Sequence, residues 1–299
     1  NPEIRKIVSD KIATALEAGI NPWRKPWKHG VGPVMADMPR NVHGKNYYRG
    51  VNVMLLLCEA QMQGYETNQW VSFRQAKKLG GSVRKGEKGT MVVFAKPVHF
   101  KEKDEDTGDE TVKSVFMLRM STVFNVDPCE NIKLPAPPKP FEPREANDIE
   151  KQLLQVMENC GATVKFGGDR AYYRPSSDHI QLPVLEAFKS VHGFAGTALH
   201  ELVHWTGHEK RLCRVAFQGV FGGFGSKTYA REELVAEFGA AMLCHRMGIE
   251  GEIENHASYL KGWAETVRED SQAIFKAARL AEVACDYIDN GAQALPLAA

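Results

Sequence analysis

The stretch Thr197-Ala198-Leu199-His200-Glu201-Leu202-Val203-His204-Trp205 decides the reading of this chain. Two histidines four residues apart, with Glu201 directly after the first, form the pattern H-E-x-x-H. Positions i and i+4 of an α-helix lie on one face, one turn apart, so both imidazoles can grip a single metal ion. Glu201 falls about 100° round the helix from His200, within reach of a metal-bound water. Ala195, Ala198, Leu199, Leu202 and Val203 recur at helical spacing and give the segment a buried face. One segment thus predicts a helix, a metal site and a general base.

A catalytic zinc takes three protein ligands and keeps one position open for water, so a third ligand is needed. His208 is one candidate. The metzincin extension requires histidine at position 210, which is Lys210, and is excluded. The other candidate lies in Glu233-Leu234-Val235-Ala236-Glu237-Phe238-Gly239. Glu233 and Glu237 share one face of an otherwise apolar helix, a costly arrangement unless something pairs them. Glu232 is the remaining alternative. This stretch resembles the second-helix motif of gluzincin metallopeptidases, E-x-x-A/S-D/E. That resemblance implies Glu233 as third ligand and Glu237 as the carboxylate that orients a metal-bound histidine. Zinc at such a site, or manganese or another divalent ion, lowers the pKa of its water and polarises a carbonyl. Glu201 would take the water's proton. Tyr229, one turn before Glu233, is a candidate donor to an oxyanion, with a structural tyrosine as the alternative. The glycine-rich residues 219–225 read as a lid or as a plain connector.

At 299 residues the chain is long enough for two domains. Its 25% charged and 43% hydrophobic residues are ordinary for a globular protein. The six cysteines, at 58, 129, 160, 213, 244 and 285, form no C-x-x-C pair, which points to reduced thiols and a cytoplasmic protein. Residues 1–20 are amphipathic rather than a leader, and no run of 18 apolar residues exists, so no membrane span is expected. The net charge of +1 conceals an asymmetry: residues 1–100 hold 16 basic and 7 acidic side chains, the remainder 22 and 30. Opposite charge in the two parts points to one part that meets a polyanion.

The proline-rich residues 134–143 divide the chain and predict an extended linker. The expected organisation is α+β, with a first domain at 1–131, a linker at 132–145 and a second domain at 146–299. Helices are expected at about 3–18, 51–63 and 72–79, then two strands at about 90–101 and 112–126 joined by the charged turn 104–108. After the linker come a helix at about 146–159 and short strands at 163–166, 171–173 and 179–182. The remainder reads as helical, with the last two helices at about 253–266 and 268–288. The strand His179–Leu182 is the candidate edge that would hold an extended peptide by β-addition.

Aromatic and basic residues interleave in the first part. Trp23, Arg24, Lys25 and Trp27 are followed by Lys45, Tyr47, Tyr48 and Arg49, then by Trp70, Lys77 and Lys78, then by Arg84, Lys85 and Lys88. Single-strand binders pair a positive groove with aromatic platforms for unstacked bases, so these residues are the candidate DNA contacts. No recognition helix or zinc finger pattern accompanies them. Residues 81–87 have the first spacing of a P-loop, but Glu87 stands where lysine is needed, so nucleotide hydrolysis is not supported.

Three motifs of the first half, W-R-K-P-W, G-K-x-Y-R-G and G-G-x-V-R-K-G-E-K-G, resemble the N-terminal domain of ArdC-type antirestriction proteins, a domain shared with plasmid TraC primases. H-E-L-V-H-W-T-G-H and E-E-L-V-A-E resemble that family's metallopeptidase-like C-terminal domain. The resemblance implies an N-terminal α+β domain that binds single-stranded DNA, a zincin-like metal-binding domain, and protection of incoming plasmid DNA from restriction during conjugation. An active zinc metallopeptidase directed to DNA-bound host proteins, restriction proteins among them, is the alternative.

Overall fold

Three helices begin at a serine whose hydroxyl accepts from a backbone N–H of the first turn: Ser72, Ser190 and Ser226. In the computed structural model, residues 2–20, 38–44, 46–103, 110–134, 145–214, 226–249 and 257–291 are described, with the backbone alone for 100–103, 110–116, 227 and 257–259. The first helix, α1 (Pro2–Glu17), buries Ile4, Val8, Ile12 and Leu16, the i, i+4 stripe of an amphipathic helix. A short strand β1 (Arg40–Asn41) pairs antiparallel with β2 (Asn46–Tyr47) and parallel with β3 (Gln69–Val71). Between them α2 (Val51–Gln63) is apolar nearly all round and is buried. Then come α3 (Phe73–Lys78), β4 (Ser82–Val83), the long strands β5 (Thr90–Lys103) and β6 (Glu110–Asn125), and β7 (Cys129–Glu130).

The larger sheet has the order β2-β1-β3-β6-β5. Helix α2 packs on it, and Leu56, Ala60, Trp70, Val92 and Val123 form one core cluster. The Asn52 side chain donates to Val93 O (2.6 Å) and accepts from Val93 N (2.7 Å), which satisfies the backbone of the outer strand β5 where a further strand would otherwise pair.

The second half opens with α4 (Ala146–Asn159) and the strands β8 (Thr163–Phe166), β9 (Tyr172–Arg174) and β10 (His179–Leu182). These strands form a three-stranded sheet of order β8-β10-β9, so β10 is its central strand, parallel to β8 and antiparallel to β9. This corrects the expectation that His179–Leu182 is an edge for peptide addition: both its sides are already paired. Four helices follow: α5 (Val191–Thr206), α6 (Lys227–Arg246), α7 (Ala257–Glu269) and α8 (Ala273–Asp289). No helix among the described residues is long and apolar enough to cross a membrane.

The two halves are separate along the chain but not in the core. One cluster joins Ile4, Val8, Ile12 and Leu16 of α1 and Val51, Met54 and Leu55 of α2 to the buried faces of α4 to α8. Polar bonds run the same way. Ser9 Oγ donates to Ser271 O (3.0 Å), and Arg268 holds Glu17 through Nε (2.6 Å) and Nη2 (2.7 Å). Glu282 of α8 accepts from Gly50 N at 2.7 Å. The proline-rich residues 135–144 lie outside the described residues.

Candidate metal centre

Helices α5 and α6 place the candidate ligands. Helix α5 begins at Ser190, whose Oγ accepts from Gly193 N (3.0 Å), and α6 begins at Ser226, whose Oγ accepts from Tyr229 N (3.1 Å). Each serine satisfies one of the donors left free in a first helical turn. The two helices cross closely at Gly239, where a Cβ would stand 2.7 Å from Val203 Cγ2. That approach brings Glu233 against the two histidines.

The geometry is a small triangle. His200 Nε2 and His204 Nε2 are 3.1 Å apart, and the Glu233 carboxylate spans them, with Oε2 3.4 Å from His200 Nε2 and Oε1 3.3 Å from His204 Nε2. Ligand atoms about 2.0–2.1 Å from a tetrahedral ion stand about 3.3 Å from one another, so the triangle fits one divalent cation. Among the described residues His200, His204 and Glu233 are the one group of acidic, histidine or cysteine side chains close enough to hold a metal.

Behind the triangle each imidazole meets its own carboxylate. His200 Nδ1 lies 3.5 Å from Glu237 Oε1, and His204 Nδ1 lies 3.2 Å from Glu232 Oε1. Glu232 is thus turned away from the triangle. Arg214, buried, clamps it through Nη2 (2.5 Å) and Nε (3.0 Å), while Nη1 donates to Thr206 Oγ1 (2.7 Å) and Nη2 to Val203 O (2.7 Å). Arg214 was not legible as a site residue, because nothing local marks a lone arginine ten positions after His204.

The electrostatics follow from burial. Three carboxylates, Glu232, Glu233 and Glu237, face one guanidinium and two imidazoles in a space that penalises net charge. Burial resists charge on His204, but Glu233 and Glu232 outweigh it and raise the imidazole to about 10. Burial likewise opposes charge on His200, and Glu233 and Glu237 raise it. Burial would raise Glu233, yet the two imidazoles hold it far below the carboxylate range. For Glu232 burial is outweighed by Arg214, which lowers it. A divalent cation can replace the two imidazole protons without unbalancing the cluster.

The remaining candidates fall as follows. Glu201 is buried on α5, and Tyr229 is half-buried one turn before Glu233. His208 is buried past the end of α5, and its Nδ1 accepts from Lys210 N at 3.2 Å. Residues 219–225 lie outside the described residues, as do Trp23, Arg24, Lys25, Trp27 and Lys45. Trp70 is fully buried in the sheet core, so it offers no face to a base and is corrected to a packing residue. Tyr48 is half-buried beside it, with its hydroxyl accepting from Asn41 Nδ2 at 3.2 Å. Arg49 pairs with Glu282 (3.4 Å) and Asp286 (3.2 Å) of α8. Tyr47, Lys77, Lys78, Arg84, Lys85 and Lys88 are exposed.

Comparisons with known proteins find relatives for both halves of the chain. Residues 2–124 match the N-terminal domain of anti-restriction factor ArdC, and residues 151–280 match the family described as zincin-like metallopeptidase. The protein y4eC of Sinorhizobium fredii is 35% identical over 291 residues, which cover 96% of this chain and 91% of that protein. The DNA primase TraC of Escherichia coli is 35% identical over 296 residues, 95% of this chain but 20% of the primase. Among solved structures, the metal-free antirestriction ArdC protein from the R388 plasmid superposes with a TM-score of 0.74 at 36% identity, covering 96% of this chain and 97% of that one. Its Mn(II)-bound form gives 0.73 at 34%, covering 97% and 98%. With both halves matched in order and a relative aligned over nearly its whole length, this chain belongs to the ArdC-type antirestriction family.

Proposed function

We propose that this protein binds single-stranded DNA through its N-terminal half and shields incoming DNA from restriction during conjugation, in the cytoplasm, with a zinc ion held in its second half. The observation that carries this reading is the match of residues 2–124 to the ArdC N-terminal domain, in a region where Lys77, Lys78, Arg84, Lys85 and Lys88 are all exposed. Occurrence of related sequence in TraC primases supports DNA as the partner. Electrophoretic or fluorescence titration against single strand and duplex tests it. Single-strand affinity is expected to exceed duplex affinity and to fall with salt, at a slope of about −0.7 per neutralised phosphate. Equal affinity for both forms contradicts the reading.

For the metal, two neutral imidazoles and one carboxylate are the donor set of a hydrolytic zinc site, and manganese is the competing ion. A bound metal of this kind acidifies water and polarises a carbonyl. The triangle of ligands favours a second reading, a metallopeptidase acting on host restriction proteins. In it Glu201 holds and passes on a proton, Glu237 and Glu232 fix the imidazoles, and Tyr229 donates to an oxyanion. Restriction protection by wild type, Glu201→Gln and the isolated N-terminal half, compared side by side, separates the two. Full protection by Glu201→Gln rejects proteolysis as the mechanism.

A further inference from the structure

A single-strand binder needs an aromatic face that a base can reach, and Trp70 has none. Phe73 has one: it is 49% exposed, while Val71 and Ala76 on either side are buried. Its position is set by local chemistry. Ser72 Oγ accepts from Gln75 N and Gln75 Oε1 accepts from Ser72 N, a capping box that makes Phe73 the first residue of α3. Phe124 of β6 backs the ring edge-on, with centroids 6.4 Å apart and planes at 61°. Beside Phe124 the chain passes as Gly89, where a Cβ would stand 3.0 Å from the Phe124 ring and 2.2 Å from Thr122 Cγ2. The strand end next to the two rings therefore carries no side chain.

The surroundings are cationic. Lys77 Nζ stands 5.1 Å from the centre of the Phe73 ring. Residues 72–89 hold six basic side chains, all exposed, against one acid, Glu87, which already pairs with Arg84 at 3.4 Å. Tyr47 and Phe94 are as exposed as Phe73, but Tyr47 sits edge-on to His245 of α6 and Phe94 lies opposite Arg119 on the hairpin, away from this cluster. A flat apolar ring inside a cationic surface fits a ligand that carries flat faces and anions together, which is a single strand with its bases unstacked. A duplex keeps its base faces covered.

We infer that Phe73, backed by Phe124 and flanked by Lys77, is a base-stacking site for single-stranded DNA, with Arg74, Lys78 and Lys88 receiving neighbouring phosphates. This rests on the single-strand reading above and assigns residues to it. The test titrates the full chain with oligo-dT and with an abasic strand of the same length, which keeps the phosphates and lacks the bases. Wild type is expected to prefer oligo-dT. Phe73→Leu keeps apolar packing on Phe124 but removes the flat ring. It is expected to lose roughly 5- to 150-fold for oligo-dT, the equivalent of one stacked base, and nothing for the abasic strand. Phe73→Trp is expected to keep the oligo-dT affinity, and Lys77→Gln to weaken both strands alike. Wild-type oligo-dT affinity in Phe73→Leu, at an unchanged melting temperature, overturns the site and leaves single-strand binding standing. Failure of the wild type to bind either strand overturns the broader reading as well.

Discussion

Gly239 of α6 lies so close to Val203 of α5 that a methyl group on it would stand 2.7 Å from Val203 Cγ2 and 2.9 Å from Cγ1. Carbon atoms in contact need about 3.5–4.0 Å, so the two helices can approach this far only with glycine at the crossing. Val203 directly precedes His204, and Gly239 lies on the helix that carries Glu233. Gly239→Ala is therefore expected to part the helices, to cost roughly 1–3 kcal/mol of stability, and to weaken metal binding. Val203→Ala in the same chain should restore part of both losses, because it removes the methyl groups that clash. Thermal melting with and without metal, and a metal titration, measure the effect. Wild-type metal affinity in Gly239→Ala would show that helix spacing does not set the site.

The Arg214 clamp makes a different prediction. Arg214→Met leaves the Glu232 carboxylate buried without its cation, a loss of roughly 3–5 kcal/mol for a broken buried pair. It also frees the group that meets His204 Nδ1, and loss of such orienting partners lowers metal affinity about 10- to 100-fold. Glu232→Gln removes the charge and keeps the hydrogen-bonding shape, so it should bind metal better than Arg214→Met does. Calorimetric titration of the three proteins with zinc and with manganese gives the order.

Metal uptake should depend on pH with a definite sign. In the metal-free protein the His204 imidazole is raised to about 10, from an ordinary value near 6.5, and His200 is also raised. A raised imidazole stabilises the fold fully below pH about 6.5, and that contribution is lost as pH rises through about 10. Glu233, depressed, contributes above its ordinary carboxylate range, and its contribution is lost as pH falls toward its folded value. A metal must displace the His204 proton, so its affinity should rise with pH up to about 10, with at least that proton released at pH 7. Titration in buffers of different ionisation enthalpy counts the protons released. Release of none would mean that both imidazoles are already neutral.

What the sequence told follows the range of each interaction. His200 and His204 were legible because an i, i+4 pair is created by one turn of helix. The choice between Glu232 and Glu233 was not, on spacing alone: adjacent residues point about 100° apart, and the crossing of α5 and α6 selects which one faces the histidines. Trp70 read as a platform because its neighbours in sequence are basic and aromatic. Its burial comes from Leu56, Val92 and Val123, which the sheet and α2 bring from elsewhere in the chain. The strand at His179–Leu182 was recognisable as a strand, but centre and edge differ only in non-local pairing. A linker rich in proline suggested independent halves. Helices α1 and α2 both cross that division, and α7, the partner of α1, begins about 240 residues later in the sequence.

That packing yields the last prediction. Ile12 of α1 is fully buried in the cluster that also holds Trp263 and Val267 of α7 and Ile274 of α8. Ile12→Ala should cost about 2–5 kcal/mol, as for other large-to-small changes in a packed core. The loss should fall on the second half as well as the first, because the metal-bearing helices share the cluster. Melting of Ile12→Ala is therefore expected to stay a single transition at lower temperature, and added zinc should raise that same transition by its binding to the folded state. If the melt instead separates into two steps, with zinc moving only the step that Ile12→Ala leaves untouched, then α1 belongs to the first half alone. By the same argument a fragment starting at residue 146 lacks the helix that covers α7, and should melt lower than the intact chain with or without zinc.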